Sequence, residues 1–525
     1  MQRSWGIGAV ALMAALVAAG VAFRVASPGG SFSASHLVST VAPAAGETQP
    51  NVLLVVWDTV RADRLSLYGH SAPTTPFLEE LAERSLVFDA AISPSYWTLP
   101  SHVSLFTGLP VSSHGTNAKY QWLDDRFITI AEWYGEHGYD TYAWSSNPNI
   151  NKGANTVQGF ETFHQAFGQN RWRRMVEADT RKLIHPMDKT SRPNPDRYRN
   201  ISHHKAGRTT EAAFTEWLDQ RDDAEQPFFA FLNYMEAHAY RLPTQESRKS
   251  IMPDKERFQK GLTTSNLLKR QTNVMFGRWK AYMPKQRRAL LDVYDASIRD
   301  LDKLLRRLFE QLELRGELEN TVVVVTSDHG EQFGENGLFL HNFSVYQPLV
   351  HVPLLIHYPK QLAPGRVSVP VNTTSIFGTT LELTGLPAPE ASVQAIDRNS
   401  LLSPEARPVV AELTEPCANP ERRRLPEEIR DWTATYQAYF APDGTKYIEA
   451  SNGRHELYDL GADPRESDNL YGARETDLVD KLSAWRDSIP VLERSEEEAA
   501  AAMEQRENAI DPDLLEQLED LGYIE

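Results

Sequence analysis

Residues 321–331 read Thr-Val-Val-Val-Val-Thr-Ser-Asp-His-Gly-Glu, which is the most pronounced strand pattern in the chain. A continuous β-branched run of this length predicts a strand buried on both faces, as in a parallel sheet. The strand ends at Asp328 and His329, and Gly330 lets the backbone turn sharply there. Because ligand groups in open α/β sheets lie just beyond the carboxyl ends of strands, these two side chains are candidate site residues.

A second strand of the same kind lies near the start of the chain. Residues 51–59 read Asn-Val-Leu-Leu-Val-Val-Trp-Asp-Thr, so this apolar run also ends in an acid, Asp58. Further strands are predicted at residues 139–144, 227–234 and 351–356, and helices at residues 76–84, 128–137 and 294–308. Strands that alternate with helices predict a doubly wound α/β sheet.

The segment after the first crossover helix is the third feature of interest. Residues 95–108 read Ser-Tyr-Trp-Thr-Leu-Pro-Ser-His-Val-Ser-Leu-Phe-Thr-Gly. They predict a loop that delivers Thr98 to the start of a helix, where Pro100 is tolerated in the first turn. Backbone N–H groups at such a terminus favour an anion, which makes Thr98 a candidate nucleophile. An ordinary N-capped helix gives the same local pattern.

Asp58, Thr98, Asp328 and His329 together make a coherent metal site. Two carboxylates, an imidazole and a hydroxyl suit one divalent ion (Zn²⁺, Mn²⁺, Mg²⁺ or Ca²⁺), and the histidine favours transition metals. A cation at the Thr98 oxygen would stabilise the alkoxide and polarise the ester under attack. Each residue alone also has a structural explanation, but their combination at strand ends predicts catalysis.

Composition excludes several other classes of protein. The chain has 525 residues, with 54 Lys and Arg against 71 Asp and Glu, so its net charge is −17 and non-specific nucleic-acid binding is disfavoured. Its one cysteine, Cys417, provides neither an intramolecular disulfide nor a cysteine metal cage. Any metal must therefore be held by oxygen and nitrogen atoms.

The N-terminal region indicates export. Arg3 precedes an apolar run over residues 7–23, and residues 28–49 form a linker rich in Gly, Ser, Ala and Pro. Residues 1–27 are interpreted either as a cleaved signal peptide or as a retained membrane anchor. Both interpretations predict that the body of the protein is periplasmic or otherwise extracytoplasmic, with inner-membrane anchoring in the second case.

Changes in composition divide the remaining chain into three regions. Residues 50–390 are the predicted catalytic domain, with basic segments at about 165–205 and 241–290 that predict helical insertions covering one edge of the sheet. These segments suit either solvated faces or the reception of an anionic substrate or lipid headgroup. Residues 391–490 predict a small antiparallel-sheet subdomain, with strands at 408–412, 432–440 and 445–450 and a helix at 477–485. Residues 491–525 predict an acidic helical tail.

Taken together, several motifs resemble the sulfatase family of the alkaline phosphatase superfamily. They lie at residues 51–58, 98–108, 159–163, 326–331, 351–355, 457–460, 463–464 and 521–523. The resemblance implies a large, mostly parallel sheet flanked by helices, carrying one divalent metal ion. It also implies a small C-terminal α/β domain.

Departures from the family pattern change the expected chemistry. Sulfatases carry a Cys or Ser, matured to formylglycine, at the place of Thr98 and an Arg at the place of His102. Residues 145–148, Ser-Ser-Asn-Pro, stand where the family has a Gly-Lys-Trp-His motif that contacts sulfate. Threonine is not a substrate for that maturation. In this respect the chain is similar to the superfamily's lipoteichoic-acid synthases and phosphoethanolamine transferases, which use a threonine nucleophile.

The resemblance adds three histidines to the candidate catalytic residues. His238 matches a His-bearing segment before a proline, here Pro243, and could bind the anion or protonate the leaving group. His341 lies where sulfatases place a lysine that contacts the sulfate. His102 is expected to orient the Thr98 loop rather than to react.

Three hypotheses follow from these residues. The first is an exported, metal-dependent hydrolase or transferase that cleaves a phosphate ester or phosphodiester through phospho-Thr98. The second is sulfate-ester hydrolysis without formylglycine, and the third is a non-catalytic, membrane-tethered module that binds a metal and an anion. In each case the expected ligand is an anionic ester linked to a lipid or a glycan. No nucleic-acid partner is expected, and no protein partner is predictable from the sequence.

Overall fold

The structure is a computed structural model that describes most of the chain after residue 48. The described residues are 49–167, 170–184, 202–390, 394, 400–403, 408–414, 434–492, 494, 495, 497, 498, 500, 501 and 504. The predicted signal or anchor segment, Cys417 and most of the predicted acidic tail lie outside them. Among the described helices, none has the length and apolar character that crossing a membrane requires.

Fifteen strands occur among the described residues. They are β1 Asn51–Trp57, β2 Leu86–Ile92, β3 Asp140–Ser145, β4 Thr162–Gln165, β5 Phe228–Tyr234, β6 Thr321–Ser327, β7 Gln332–Phe333, β8 Phe339–Leu340, β9 His351–His357, β10 Gly365–Val367, β11 Val371–Asn372, β12 Val409–Leu413, β13 Tyr436–Phe440, β14 Thr445–Ala450 and β15 His455–Asp459.

Thirteen α-helices accompany these strands in the described part of the chain. They are α1 Pro76–Ala82, α2 Thr98–Thr107, α3 Val111–His114, α4 Ile130–Glu136, α5 Arg171–Ile184, α6 Gly207–Gln220, α7 Gln245–Ile251, α8 Lys255–Ser265, α9 Leu268–Met275, α10 Pro284–Leu314, α11 Gln347–Val350, α12 Ile376–Thr384 and α13 Leu478–Ser488.

Nine strands form one large sheet in the order β10-β2-β9-β6-β1-β5-β3-β4, with β11 paired to β2. The strands pair in parallel except that β9 runs antiparallel to β2 and β6. Helices cover both faces, since alternate residues of β1 join separate cores. Leu53 and Val55 pack on the side of α10, while Val52 and Leu54 pack on the side of α12. The predicted mostly parallel α/β sheet flanked by helices is confirmed.

The three central strands determine where the site lies. All residues of β1, β5 and β6 are buried, as their apolar sequences predict. Trp57, the last residue of β1, pairs with Tyr234 at the end of β5 and with Ser327 at the end of β6. The residues that follow these strands therefore emerge side by side at one edge of the sheet.

Strand β2 is absent from the predicted elements. It lies between α1 and the Thr98 loop, and its sequence Leu-Val-Phe-Asp-Ala-Ala-Ile contains only a short apolar run. The pairing with β9 shifts register between Phe88 and Ala91, so Asp89 falls at an irregularity where a half-exposed acid is tolerated. That local break removes the pattern by which strands are recognised in sequences.

The second basic segment differs from the predicted cover of a sheet edge. Residues 241–290 form α7, α8, α9 and the start of α10. Phe258 and Leu262 of α8 share a buried apolar cluster with Val293 and Ala296 of α10. The α8 part of this segment therefore packs against a helix rather than along a strand at the edge of the sheet.

A four-stranded antiparallel sheet, in the order β12-β13-β14-β15, follows the large sheet. Strand β15 contains the Leu-Tyr-Asp motif and was not predicted as a strand, whereas the other three lie within or close to the predicted positions. β12 is attached to the loop that carries the nucleophile candidate: the Glu412 N–H donates to the Pro94 carbonyl over 2.8 Å. The Ser95 hydroxyl donates to the Glu412 carbonyl over 3.2 Å.

Candidate active site

Three side chains beyond the ends of β1 and β6 form the centre of the site. Asp58 follows β1, and Asp328 and His329 follow β6, so the parallel pairing of the two strands brings them together. One ligand atom from each residue lies within 4.8 Å of the other two. All three residues are buried. Burial of two neighbouring carboxylates is uncommon unless a partner neutralises their charge.

The hydrogen bonds of the carboxylates leave one oxygen of each available. Asp58 Oδ2 accepts from Asn147 Nδ2 over 2.6 Å, and Asp328 Oδ1 accepts from the His329 and Thr59 backbone N–H groups over 2.8 and 3.1 Å. Asp58 Oδ1 and Asp328 Oδ2 have no hydrogen-bond partner among the described residues. Such buried oxygens are costly unless a cation neutralises them, so the residues present fit a divalent metal ion.

Burial also raises the pKa of both carboxyl groups. For Asp58, the negative charge of Asp328 adds to the effect of desolvation, and the Asn147 hydrogen bond opposes it. For Asp328, desolvation again dominates, and hydrogen bonds from the Thr59 and His329 backbone oppose it. Two carboxyl groups that resist joint ionisation are typical of a site completed by a cation.

His329 is held in one orientation by its own backbone. Its Nδ1 donates a hydrogen bond to the Gly330 carbonyl over 2.8 Å, so Nε2 carries the lone pair. This Nε2 lies 3.4 Å from Asp328 Oδ2 and 3.3 Å from Thr98 Oγ1. The imidazole therefore presents its free nitrogen to the space between the carboxylates and the threonine hydroxyl.

Thr98 is the first residue of α2 and is fully buried. The preceding residue, Trp97, has extended backbone angles, so the helix begins at the threonine as the sequence predicts. Besides the contact with His329, Thr98 Oγ1 accepts a hydrogen bond from Asn147 Nδ2 over 3.2 Å. The structure thus brings the candidate nucleophile to the three candidate metal ligands.

His102 lies one helical turn after Thr98. Its Nδ1 donates to the Thr98 carbonyl over 2.8 Å, and its ring contacts the edges of Phe106 and Phe231. Burial lowers the pKa of His102 to about 4, so the ring is neutral at physiological pH. These contacts are those expected of a residue that orients the Thr98 turn.

Asn147 is a site residue that the sequence did not single out. It follows β3, and its side-chain amide donates to both Asp58 Oδ2 and Thr98 Oγ1. Asn233, in β5, fixes this turn by accepting the Ser146 and Asn147 backbone N–H groups over 3.2 and 3.0 Å. The signal that could have identified Asn147 is its position in the turn that follows the predicted strand at residues 139–144.

His341 and His238 extend the site on the side of His329. The ring centroids of His329 and His341 are 4.8 Å apart, and those of His341 and His238 are 5.3 Å apart. Nδ1 of His238 donates to the Ala239 carbonyl over 2.6 Å. Burial, assisted by His341, lowers the pKa of His238 to about 3, so this imidazole is neutral in the free protein.

Gly330 is required by a close contact rather than by a sharp turn. Its φ is not in the left-handed region, but a Cβ there would lie 2.0 Å from the Pro348 carbonyl oxygen and 2.8 Å from Arg61 Cγ.

Gly330→Ala is therefore expected to destabilise the fold by about 1–3 kcal/mol through overpacking and to weaken metal binding by displacing His329. Chemical denaturation and metal titration measure the two effects. Gly461→Ala, whose Cβ would meet only the Asp459 side chain at 3.4 Å, is the control; equal effects in both variants would contradict the assignment.

Comparison with known proteins gives a consistent result. A family model described as Sulfatase matches residues 50–386. Arylsulfatase K of Bos taurus is 25% identical over 448 residues, covering 80% of this chain and 78% of that protein. An ulvan-active sulfatase of Formosa agariphila is 24% identical over 462 residues, covering 85% of this chain and 82% of that protein.

Solved structures share the fold. The phosphonate monoester hydrolase of Agrobacterium radiobacter superposes with a TM-score of 0.61 at 19% identity, covering 89% of this chain and 97% of the hydrolase. The family match spans both strands that carry the candidate metal ligands and the loop that carries Thr98. This protein therefore belongs to the sulfatase family and is a hydrolase of the alkaline phosphatase superfamily.

Proposed function

We propose that this protein cleaves a phosphate ester or phosphodiester by transferring the phosphoryl group to Thr98 Oγ1. Asp58, Asp328, His329 and the Thr98 hydroxyl would hold one divalent cation. The observation that carries the proposal is a buried threonine hydroxyl 3.3 Å from His329 Nε2, at the N-terminus of a ten-residue helix. A phosphoryl group on this oxygen would lie near the N–H groups of the first turn of the helix, which favour an anion.

The side chain at position 98 argues against the formylglycine route. A formyl group requires a β-carbon with two hydrogens, whereas the β-carbon of threonine carries a methyl group, and its oxidation would give a ketone. Thr98 therefore keeps an alcohol, which can attack an ester directly when its ionisation is favoured. The expected intermediate is a phosphate ester of Thr98 rather than a hemiacetal.

The reaction then has two displacements. Thr98 Oγ1 forms a bond to phosphorus while the bond to the leaving oxygen breaks; a neighbouring imidazole, His341 or His238, takes the hydroxyl proton and passes it to the leaving oxygen. Water next attacks the phosphorus, and the bond between phosphorus and Thr98 Oγ1 breaks. The same imidazole takes a proton from the water and passes it to Thr98 Oγ1, so Thr98 leaves as the alcohol. Asn147 orients Oγ1 by donating a hydrogen bond to it over 3.2 Å. A bound divalent cation supplies positive charge that favours the ionised hydroxyl and polarises the ester.

Sulfate-ester hydrolysis is the second candidate function. Two similar proteins, arylsulfatase K and the ulvan-active sulfatase, have names that state sulfatase activity. The fold neighbour from Agrobacterium radiobacter is a phosphonate monoester hydrolase, so the shared architecture supports chemistry at phosphorus as well. We favour chemistry at phosphorus because an unmodified Thr98 side chain is an alcohol that can attack the ester directly.

The wider context of the proposal follows from the sequence. We propose that the protein acts outside the cytoplasm on an anionic ester linked to a lipid or a glycan. Arg3, which precedes the apolar segment at residues 7–23, supports export. The domain limits at residues 390 and 490 belong to the same proposal.

Trapping the intermediate tests the proposed function. The protein, loaded with Zn²⁺ or Mn²⁺, is mixed with methyl 4-nitrophenyl phosphate, quenched in acid and analysed by peptide mass spectrometry. A methylphosphoryl group on the peptide that contains Thr98 is the expected result. The retained methyl group matters because unsubstituted phosphoryl and sulfuryl adducts have nearly the same mass. Turnover of the diester without an adduct would overturn the covalent mechanism, and turnover of 4-nitrophenyl sulfate alone would favour the second candidate.

A further inference from the structure

A buried ion pair lies directly behind the candidate site. Arg241 Nη2 donates to Glu331 Oε2, and Glu331 Oε1 accepts from His341 Nδ1 over 3.1 Å. The three side chains are connected in series from the interior toward the surface: Arg241 is 0% exposed, Glu331 is 1% exposed and His341 is 12% exposed. The histidine at the outer end lies 4.8 Å, ring to ring, from the candidate metal ligand His329.

Arg241 is fixed from several directions. Its Nε donates to the Ala237 carbonyl over 2.7 Å, and its Nη1 donates to the Ser265 hydroxyl over 3.3 Å. Its guanidinium carbon lies 5.2 Å from the Tyr294 ring and 5.0 Å from the Phe333 ring, within the range of cation–π contacts. An arginine held this firmly presents a rigid donor to Glu331.

Glu331 in turn determines how His341 is held. The Arg241 guanidinium is fully buried and forms an ion pair with Glu331, so this pair requires an ionised carboxylate at position 331. An ionised carboxylate only accepts hydrogen bonds, so the proton between the two residues must lie on His341 Nδ1. The other ring nitrogen, Nε2, is then the one available to a bound ester.

We propose that Arg241 and Glu331 are positioning residues that fix the orientation and tautomer of His341, so that its Nε2 faces the substrate. The expected loss of kcat/KM rests on the proposed function of this site, whereas the expected tautomer of His341 does not. The same ion pair joins two site segments, since Arg241 belongs to the segment that carries His238, and Glu331 follows His329 by two residues. Loss of the pair is therefore expected to affect His341 first and the spacing of His238 second.

A double-mutant cycle tests whether Glu331 acts through His341. Glu331→Gln is expected to lower kcat/KM for methyl 4-nitrophenyl phosphate by about 10- to 100-fold, as is typical when a partner that orients a site histidine is lost. In the His341→Ala background the same change is expected to have little further effect, because the residue it positions is gone. An equal loss in both backgrounds would show a merely structural role and would overturn the proposal.

The nitrogen signals of His341 give a measurement that needs no activity. In protein labelled with ¹⁵N-histidine, the His341 resonances are identified by their loss in His341→Ala. Protonation at Nδ1 is expected in the parent, and loss of this preference is expected in Glu331→Gln. An unchanged tautomer in the variant would contradict the proposal. If the tautomer shifts but Thr98→Ala retains activity, the positioning role stands and the proposed phosphoryl transfer fails.

Two further variants separate positioning from loss of stability. Glu331→Gln leaves Arg241 buried without its partner, which is strongly destabilising, so Arg241→Met combined with Glu331→Gln removes both charges. This pair of changes is expected to abolish the tautomer preference in a folded protein. Glu466→Gln is the matched control, because Glu466 forms a buried ion pair with Lys446 in the small sheet. It is expected to destabilise the protein while leaving the His341 tautomer unchanged; a shift in this control would count against the proposal.

Discussion

Thr98→Ala is expected to reduce ester hydrolysis by about 10³-fold or more, because it removes the oxygen that would carry the phosphoryl group. The change deletes one hydroxyl and one methyl group at the start of α2, so the helix and the two carboxylates should remain in place. Asp58, Asp328 and His329 remain as ligands, so the specific expectation is loss of turnover with metal binding that is weakened but still measurable. Steady-state kinetics on a diester and metal analysis of the same sample measure both.

Thr98→Ser is the matched control for this variant. Serine keeps the hydroxyl but loses the methyl group that restricts χ1, so it should retain a measurable part of the activity. A Thr98→Ala protein that hydrolyses the diester as fast as the parent would refute the covalent mechanism. Water or another side chain would then have to be the nucleophile.

Asp328→Asn is expected to abolish both metal binding and turnover. The carboxylate would provide an anionic ligand to the cation, and metal-assisted charge stabilisation is worth several kcal/mol, so a rate loss of about 10³-fold or more is expected. Metal content after dialysis and kcat on a diester measure the effect. Asp295→Asn is a suitable control, because Asp295 is also buried and ion-paired, with Arg64, but is not one of the three clustered ligands. Stoichiometric metal and parental activity in Asp328→Asn would contradict the assigned ligand.

In the metal-free protein, Asp328→Asn is expected to change how the free energy of unfolding depends on pH. Burial raises the pKa of Asp58 and Asp328 in the folded state, so the folded state binds more protons than the unfolded state as the pH rises above about 4. By linkage, the free energy of unfolding then falls with rising pH. Removing one of the two acids should make this decline shallower. Thermal melts of chelator-treated parent and Asp328→Asn at about pH 5 and about pH 8 measure the difference, and a steeper decline in the variant would contradict this account.

The central part of the fold could be predicted because its signals are local. β1 and β6 are uninterrupted apolar runs, and each ends in an acid, so both the strands and the polar residues after them are visible in the sequence. β2 was missed because Asp89 falls at a register shift, and β15 because its five residues occur within a motif of mixed polarity. The location of α8 depends on contacts of Phe258 and Leu262 with Val293 and Ala296 of α10, and these residues are too far apart in the chain to leave a local pattern.

The candidate site also contains residues that local sequence signals reveal and residues that depend on contacts between distant segments. Asp58, Asp328, His329 and Thr98 were found together because each stands at the end of a strand or the start of a helix. Their roles as ligands and nucleophile remain predictions that the variants above test. Asn147 contacts residues that are 89 and 49 positions away in the chain, and no spacing rule connects them. The ion pair of Arg241 and Glu331 spans 90 positions and could not be read from either segment.

The contact between β12 and the nucleophile loop has a consequence for synthesis of the protein. Every candidate metal ligand has left the ribosome once residue 329 has emerged, yet the Glu412 backbone groups that bind Pro94 and Ser95 are made more than eighty residues later. A chain that stops before β12 would therefore contain every candidate ligand but lack the backbone groups that hold the Thr98 loop. We expect such a truncated chain to lose turnover to a greater extent than metal binding.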